Sequence, residues 1–355
     1  LVAFGQAAVD PLTGLLPAAD ATARCRAIET LCEIGDPLPA PEILDYLSDP
    51  ADDVRIAAAR ALQRFRYAPA IGTLLQNLDS ETAEVREAKA EVVVGFGALA
   101  VPNVLEDLDH HGWSGERQVV AILRRLNEPA AQQCVEMLSS EEHHLRWMAV
   151  KALGLLDTSA HVTVVAPLLA DEDAQVREAA LATLSVAGKA GAEAAALCLE
   201  DPEVVRRQRI SRALVELGDA GIDAAVRTYE AAQVSGRLGI AEVVALSQRP
   251  GDLPVLSALL QDASITVRLS VCDTLAEWQT PDCAAMLVQA LHDPEPKVAD
   301  RAVEGLKALG EVGGEALATV LVEETGPADG VLLTALTALG EPALTALHSY
   351  LERDE

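Results

Sequence analysis

The apolar residues of this chain return at one spacing along most of its length. A valine or leucine followed by arginine opens the phrase V-R-x-x-A-x-x-x-L, seen as VRIAAARAL from Val54, LRWMAVKAL from Leu145, VREAALATL from Val176 and VRLSVCDTL from Val267. Weaker copies extend the series of first positions to Ala23, Val54, Val85, Gly115, Leu145, Val176, Arg206, Arg237, Val267, Val298 and Val331. The steps are 30 or 31 residues, except for a last step of 33 where EETGPADG intervenes. A fixed period of this length signals stacked repeats, not separate globular domains.

Counting from each register position, a small or β-branched residue stands at plus four (Ala27, Ala58, Ala149, Ala180, Ile210, Val271, Ala302) and a leucine at plus eight (Leu31, Leu62, Leu123, Leu153, Leu184, Leu214, Leu275, Leu306). Large apolar residues such as Phe65, Phe96 and Trp278 follow at plus eleven. Offsets of 0, 4, 8 and 11 mark one helical face. Gly35, Gly97, Gly188, Gly218 and Gly310 come next, where a left-handed residue would end the helix. A second apolar segment of about ten residues, as in PAIGTLLQNL and LPVLSALLQD, predicts a shorter second helix. Asp49, Asp171, Asp201, Asp262 and Asp293, each five residues before the next register position, are expected to cap the following helix.

Such pairs cannot bury their apolar faces alone, so neighbours must stack. The expected fold is all-α: a right-handed α-solenoid of about eleven helix–turn–helix repeats, one continuous array over residues 1–355. Phe4 and Gly5 align with Phe96 and Gly97, and Gln6 to Leu16 reads as a second helix without its first. The chain is therefore expected to be a fragment of a longer one, or to have a processed start. Gly251 and Gly326 to Gly330 read as turns.

This period and these columns resemble the HEAT-like repeats, in particular the short bacterial repeats of the phycobilin-lyase type, over nearly the whole chain. The resemblance implies a scaffold and names no catalytic residue. It also implies an alternative function, that of a lyase-type or chaperone-like accessory protein.

Composition narrows the partners. Half of the residues are hydrophobic but only 3% are aromatic, which suits closely packed helices of alanine, leucine and valine. The net charge of −28 argues against a nucleic-acid or anionic-membrane surface, since both are gripped by Lys and Arg. The longest apolar run, VVVGFGALAVP, falls short of the roughly 18–20 residues of a membrane span. With no basic-then-apolar leader the expected location is cytoplasmic. The six cysteines are scattered without a C-x-x-C and read as reduced thiols.

Arginines recur just after the register position, at Arg24, Arg55, Arg86, Arg146, Arg177, Arg207 and Arg268. A feature with the period of the repeat points to an Asp–Arg ladder between neighbours, not to seven sites. Marks of catalysis are missing from the sequence. Deoxyhypusine hydroxylase, a solenoid enzyme, carries repeated His-Glu pairs for its iron, and this chain has none. Glu141 to His144 is the one acid–histidine cluster, expected in a turn and solvated. Nucleotide loops, hydrolase elbows and H-E-x-x-H are also lacking. No catalytic residue, metal or cofactor is expected.

The helix bearing the V-R phrase is expected to line the concave side, with positions 2, 3, 6, 9 and 10 facing outward. There the middle repeats place Arg117, Arg124, Arg125, Trp147 with Met148, Lys151, Arg209 and Arg212. The ends place Glu29, Glu33, Glu87 and Glu91, then Asp273, Glu277, Asp300 and Glu304. A basic, aromatic-bearing middle on an acidic chain predicts a non-catalytic protein-binding scaffold that holds an acidic peptide or protein surface, with Trp and Arg as anchors.

Overall fold

The computed structural model describes residues 2–18, 20–114, 117–323 and 330–353. The register position at Gly115 and the turn expected over 326–329 lie outside them. Among the described residues all regular structure is helical, with no strand. No single helix among them is long and apolar enough to cross a membrane. The chain divides into two compact units, Leu1–His161 and Val162–Glu355.

In the first unit the V-R phrases form helices Ala21–Ile34, Asp52–Arg64, Ala83–Gly95, Gln118–Leu126 and His143–Leu155. Each packs on the next, with second helices Ala40–Leu44, Ala70–Leu75, Val101–His111 and Glu128–Met137 between them. In the second unit the V-R helices are Ala174–Val186, Val204–Glu216, Val234–Ser247, Ile265–Glu277, Pro296–Ala308 and Gly330–Leu339. Those from Val204–Glu216 onward stack in sequence, alternating with Asp219–Arg227, Leu253–Leu259, Pro281–Ala290, Glu311–Glu323 and Glu341–Arg353. The eleven V-R helices match the number of repeats expected.

The core is the set of columns anticipated from the period. Ala58, Ala149, Ala180, Val271 and Ala302 at plus four, and Leu62, Leu123, Leu153, Leu184, Leu214, Leu275 and Leu306 at plus eight, are fully buried. Alanine on one helix lets the next approach closely, and the leucines fill the seam. Position plus three differs from expectation. Ala57, Ala88, Met148 and Ala179 are buried there, whereas Arg26 and Arg301 at the same position are exposed.

Most helix ends follow one rule at plus twelve. Gly35, Gly97, Gly188, Gly218 and Gly310 all have positive φ, from 56° to 79°. Where glycine is missing, Arg66 (53°), Asn127 (40°) and Gln248 (49°) still take positive φ, whereas Asp157 and Gln279 do not. Gln248 resets the register. It makes Gly236, not Arg237, the first position of its repeat, so that Ile240 and Val244 fall on the buried columns. Likewise Gly340, at φ 70°, counts back to position 328 instead of Val331 and makes the last step 30.

The turn aspartates do not cap the following helix. The caps are Ala51, Asp173, Glu203, Ser264 and Glu295, two residues later. Asp49, Asp171, Asp201, Asp262 and Asp293 instead accept the amide of the residue two ahead, at 2.7–2.9 Å, forming the bend before the helix. The arginine ladder then ties the bends together. Arg55, Arg177, Arg207 and Arg268 each donate to the carbonyl of the aspartate six residues before, at 2.7–3.1 Å. Arg24, Arg237 and Arg268 also reach the aspartate of the next bend: Asp49, Asp262 and Asp293 at 2.6–2.8 Å. Glu81 takes that role for Arg55 at 3.1 Å and also holds the buried Lys89. The ladder skips Arg86, whose side chain makes no hydrogen bond or ion pair among the described residues.

Candidate functional site

The outward positions of three V-R helices in the first unit form a groove. Helices Ala21–Ile34, Asp52–Arg64 and Ala83–Gly95 enclose about 1020 Å³, with Ile56, Ala57 and Ala88 among the lining. Plus two and plus six fall on its walls because they lie opposite the buried plus-four and plus-eight columns. The expected acidic residues Glu29, Glu33, Glu87 and Glu91 all line it, joined by Asp53 and Glu84. Arg60 is the single cation of the lining. Cys25 and Cys32, half-exposed, stand on the same wall. Burial and the neighbouring Glu29 push the Cys25 thiol above its ordinary range, the opposite of the lowered pKa of an activated nucleophile.

Two repeats on, the outward face turns aromatic and basic. Trp147, on His143–Leu155, meets Trp113 edge-to-face with ring centroids 5.7 Å apart. His144 stacks on its other side at 5.7 Å and 17°. Lys151, one turn on, holds its ammonium 5.9 Å from the Trp147 ring centre. Trp147 remains half-exposed. Trp113 escaped the sequence reading because it sits in an irregular turn, outside every column; its only signal was an aromatic residue between glycines. The indole N–H of Trp113 is buried without a partner among the described residues. The Glu141–His144 cluster is not simply a solvated turn. His143 and His144 begin the helix, and His144 Nε2 lies 3.0 Å from an Asp109 oxygen.

The expected cations fare differently. Arg117 is largely consumed by structure: it pairs with Asp107 at 3.0 Å and Asp79 at 3.7 Å, beside its bond to the Gly112 carbonyl. Arg124 is exposed and donates to the Leu155 carbonyl at 3.0 Å, at the end of the neighbouring V-R helix. Arg125 bridges back to Glu87 at 2.9 Å, so the basic patch adjoins the acidic groove. Met148 is buried beneath Trp147 in sequence and offers little outward surface. In the second unit, Arg209 is half-buried and bonds the Ala170 and Asp171 carbonyls at 3.1 and 3.0 Å. Arg212 is exposed and makes no hydrogen bond or ion pair with the described residues.

A family model described as HEAT repeats matches residues 9–94, 101–185 and 253–340, well over half of the chain. The chain belongs to the HEAT repeat family. The match does not extend to the phycobilin-lyase type. No curated protein matches this HEAT repeat chain. Several solved structures are similar to it at low identity and low TM-score. An engineered protein is 18% identical with a TM-score of 0.29, covering 96% of this chain and 98% of that one. Kap121p bound to Nup53p is 13% identical with a TM-score of 0.34, covering 97% of this chain and 46% of that one. A structure concerning the phosphorylation switch between cadherin and beta-catenin is 13% identical with a TM-score of 0.35, covering 95% and 91%. The chain thus spans less than half the length of Kap121p. HEAT repeats are a scaffold for many functions, so the site itself must carry the functional argument.

Proposed function

We propose that this HEAT repeat protein is a non-catalytic binding scaffold that holds an acidic peptide or protein surface on its V-R helices. The supporting observation is the Trp147 cluster. A half-exposed indole, braced by Trp113 and His144 and flanked by Lys151, combines apolar area with positive charge on an otherwise acidic chain. Rigid aromatic side chains bury much surface at little entropic expense, and basic neighbours select carboxylates. Arg124 and Arg125 extend the patch along the adjoining helix, each held by one internal bond. Arg209 and Arg212 form a second basic pair on the second unit.

The experiment is affinity capture with the wild-type chain beside Trp147→Ala and the double change Arg124→Glu, Arg125→Glu, followed by titration of the captured partner. Trp147→Ala is expected to weaken binding by ~2 kcal/mol or more, as a hot-spot aromatic does. The double reversal is expected to abolish it, with helicity and melting temperature unchanged. A partner that binds all three proteins equally well would show that the patch is only a solvated face.

A further inference from the structure

The groove of the first unit is open, and its carboxylates outnumber the cations near them. Glu29, Glu33, Asp53, Glu84, Glu87 and Glu91 face it; Arg60 is the one cation of the lining, with Arg26 and Arg64 close enough to act on the wall thiols Cys25 and Cys32. The well-buried carboxylates of the same unit are answered: Asp49 by Arg24, Glu81 by Arg55 and Lys89, Asp107 by Arg117. Of the groove carboxylates, only Glu87 forms an ion pair among the described residues, with Arg125 at the rim. The repeat does not require this, because the same outward positions carry arginine, lysine or tryptophan in the next two repeats. Like charges on adjoining helices repel within the ~8 Å screening length of physiological salt, so the arrangement lowers the stability of the empty groove.

We propose that this groove binds an extended lysine- and arginine-rich segment of a partner protein. The carboxylates are strung across three helices instead of converging, and no group of three or more His, Cys, Asp or Glu among the described residues is placed to hold a metal ion. A string of negative charge fits a polycation, not a single divalent ion. Three helices ~10 Å apart span ~30 Å, the reach of about nine extended residues. The half-buried Ile56, with the small, nearly buried Ala57 and Ala88 in the lining, offers apolar surface on which the methylene stem of a Lys or Arg can lie while its head meets the carboxylates. The net charge of −28 draws such a segment in and repels a second copy of this chain. The inference stands on the groove alone and does not depend on the acidic partner proposed for the Trp147 patch.

The test uses the full chain and a fluorescent peptide of about nine residues alternating arginine or lysine with alanine. Anisotropy in about 0.15 M salt is expected to show saturable binding that weakens steeply as salt is raised, with no binding of the matched glutamate–alanine peptide. Replacing Glu29, Glu33, Glu87 and Glu91 by glutamine should reduce affinity at least about tenfold. Replacing four exposed acids of the second unit, Glu172, Glu178, Glu230 and Asp282, by the corresponding amides should change it less than about twofold. An equal loss in both variants would mean diffuse attraction by net charge and would overturn the proposal. The groove thiols give a reading that needs no variant: saturating peptide should slow maleimide labelling of Cys25 and Cys32. Unchanged labelling rates under saturation would place the peptide elsewhere and equally sink the assignment.

Discussion

Arg268 grips Asp293, twenty-five residues later, through two parallel hydrogen bonds: Nε to Oδ2 at 2.7 Å and Nη2 to Oδ1 at 2.9 Å. The third arm of the same guanidinium donates to the Asp262 carbonyl at 2.7 Å. One arginine therefore joins the bend before its own helix to the bend of the next repeat. Arg24 and Asp49 repeat the forked geometry at 2.8 and 3.0 Å, again twenty-five residues apart. The clamp recurs because the repeat recurs, and it sets how far one repeat can slide on another.

Removing the clamp should be expensive, because both partners are buried, with about a tenth of each side chain exposed. Arg268→Met leaves the Asp293 carboxylate and the Asp262 carbonyl without their donor. We expect a loss of about 2–4 kcal/mol in denaturant unfolding. Arg301 pairs with Asp273 at 2.6 Å, but both side chains are about half exposed, so Arg301→Met should cost under ~1 kcal/mol. The hydrogen bonds from Arg268 hold the Asp293 carboxyl below the usual aspartate range, even though burial opposes them. A depressed folded-state pKa contributes stability above the unfolded value and loses it as pH falls through the folded one. Stability of the wild type should thus decline below pH ~4, and Arg268→Met should flatten that decline. An unchanged acid slope would remove Asp293 from the account.

Gly221 lies against the backbone of Leu214, where an added Cβ would stand 2.1 Å from the leucine carbonyl oxygen. Gly191 on Leu184 and Gly313 on Leu306 repeat the contact at 2.1 and 2.2 Å. In each case the glycine packs on the buried plus-eight leucine of its own repeat. Backbone cannot swing aside, so Gly221→Ala should destabilise by about 1–3 kcal/mol despite the better helix propensity of alanine. Gly72→Ala would meet only the Asn103 amide, at 3.9 Å, and should be neutral or stabilising by up to ~1 kcal/mol. Equal melting shifts in the two variants would contradict this geometry.

Gln248 closes helix Val234–Ser247 in the left-handed conformation, φ 49° and ψ 35°, with its side chain exposed. Such a residue carries steric strain that glycine does not. Gln248→Gly should raise stability by ~0.5–1 kcal/mol, the gain being limited by the freer unfolded chain. A drop in melting temperature would show that the glutamine side chain makes contacts that outweigh its backbone strain.

The family, the helix count, the buried columns and most of the arginine ladder were legible in the sequence, because each follows a local rule that recurs with the repeat. A 3.6-residue helix converts spacing into faces, and thirty-residue recurrence converts faces into a stack. Leu153 or Val271 could be assigned to the core without coordinates for that reason. Repetition averages out the irregular members, and there the sequence was a poor guide. The register at Gly236 became visible only through the backbone of Gln248, since no glycine marks that helix end. Whether Asp293 caps a helix or bends the chain before it depends on two residues of phase, which the spacing does not resolve. The platform of Trp113, His144 and Trp147 joins a turn, a helix start and a helix middle that no period relates. Which arginines stay available was likewise decided in three dimensions. Arg117 and Arg212 both occupy outward positions, yet Asp107 lies within reach of the first and no carboxylate among the described residues bonds the second. Sequence spacing determines the side of a helix on which a charge sits; its partner depends on which neighbouring helix is brought within about 4 Å, and that is set by packing.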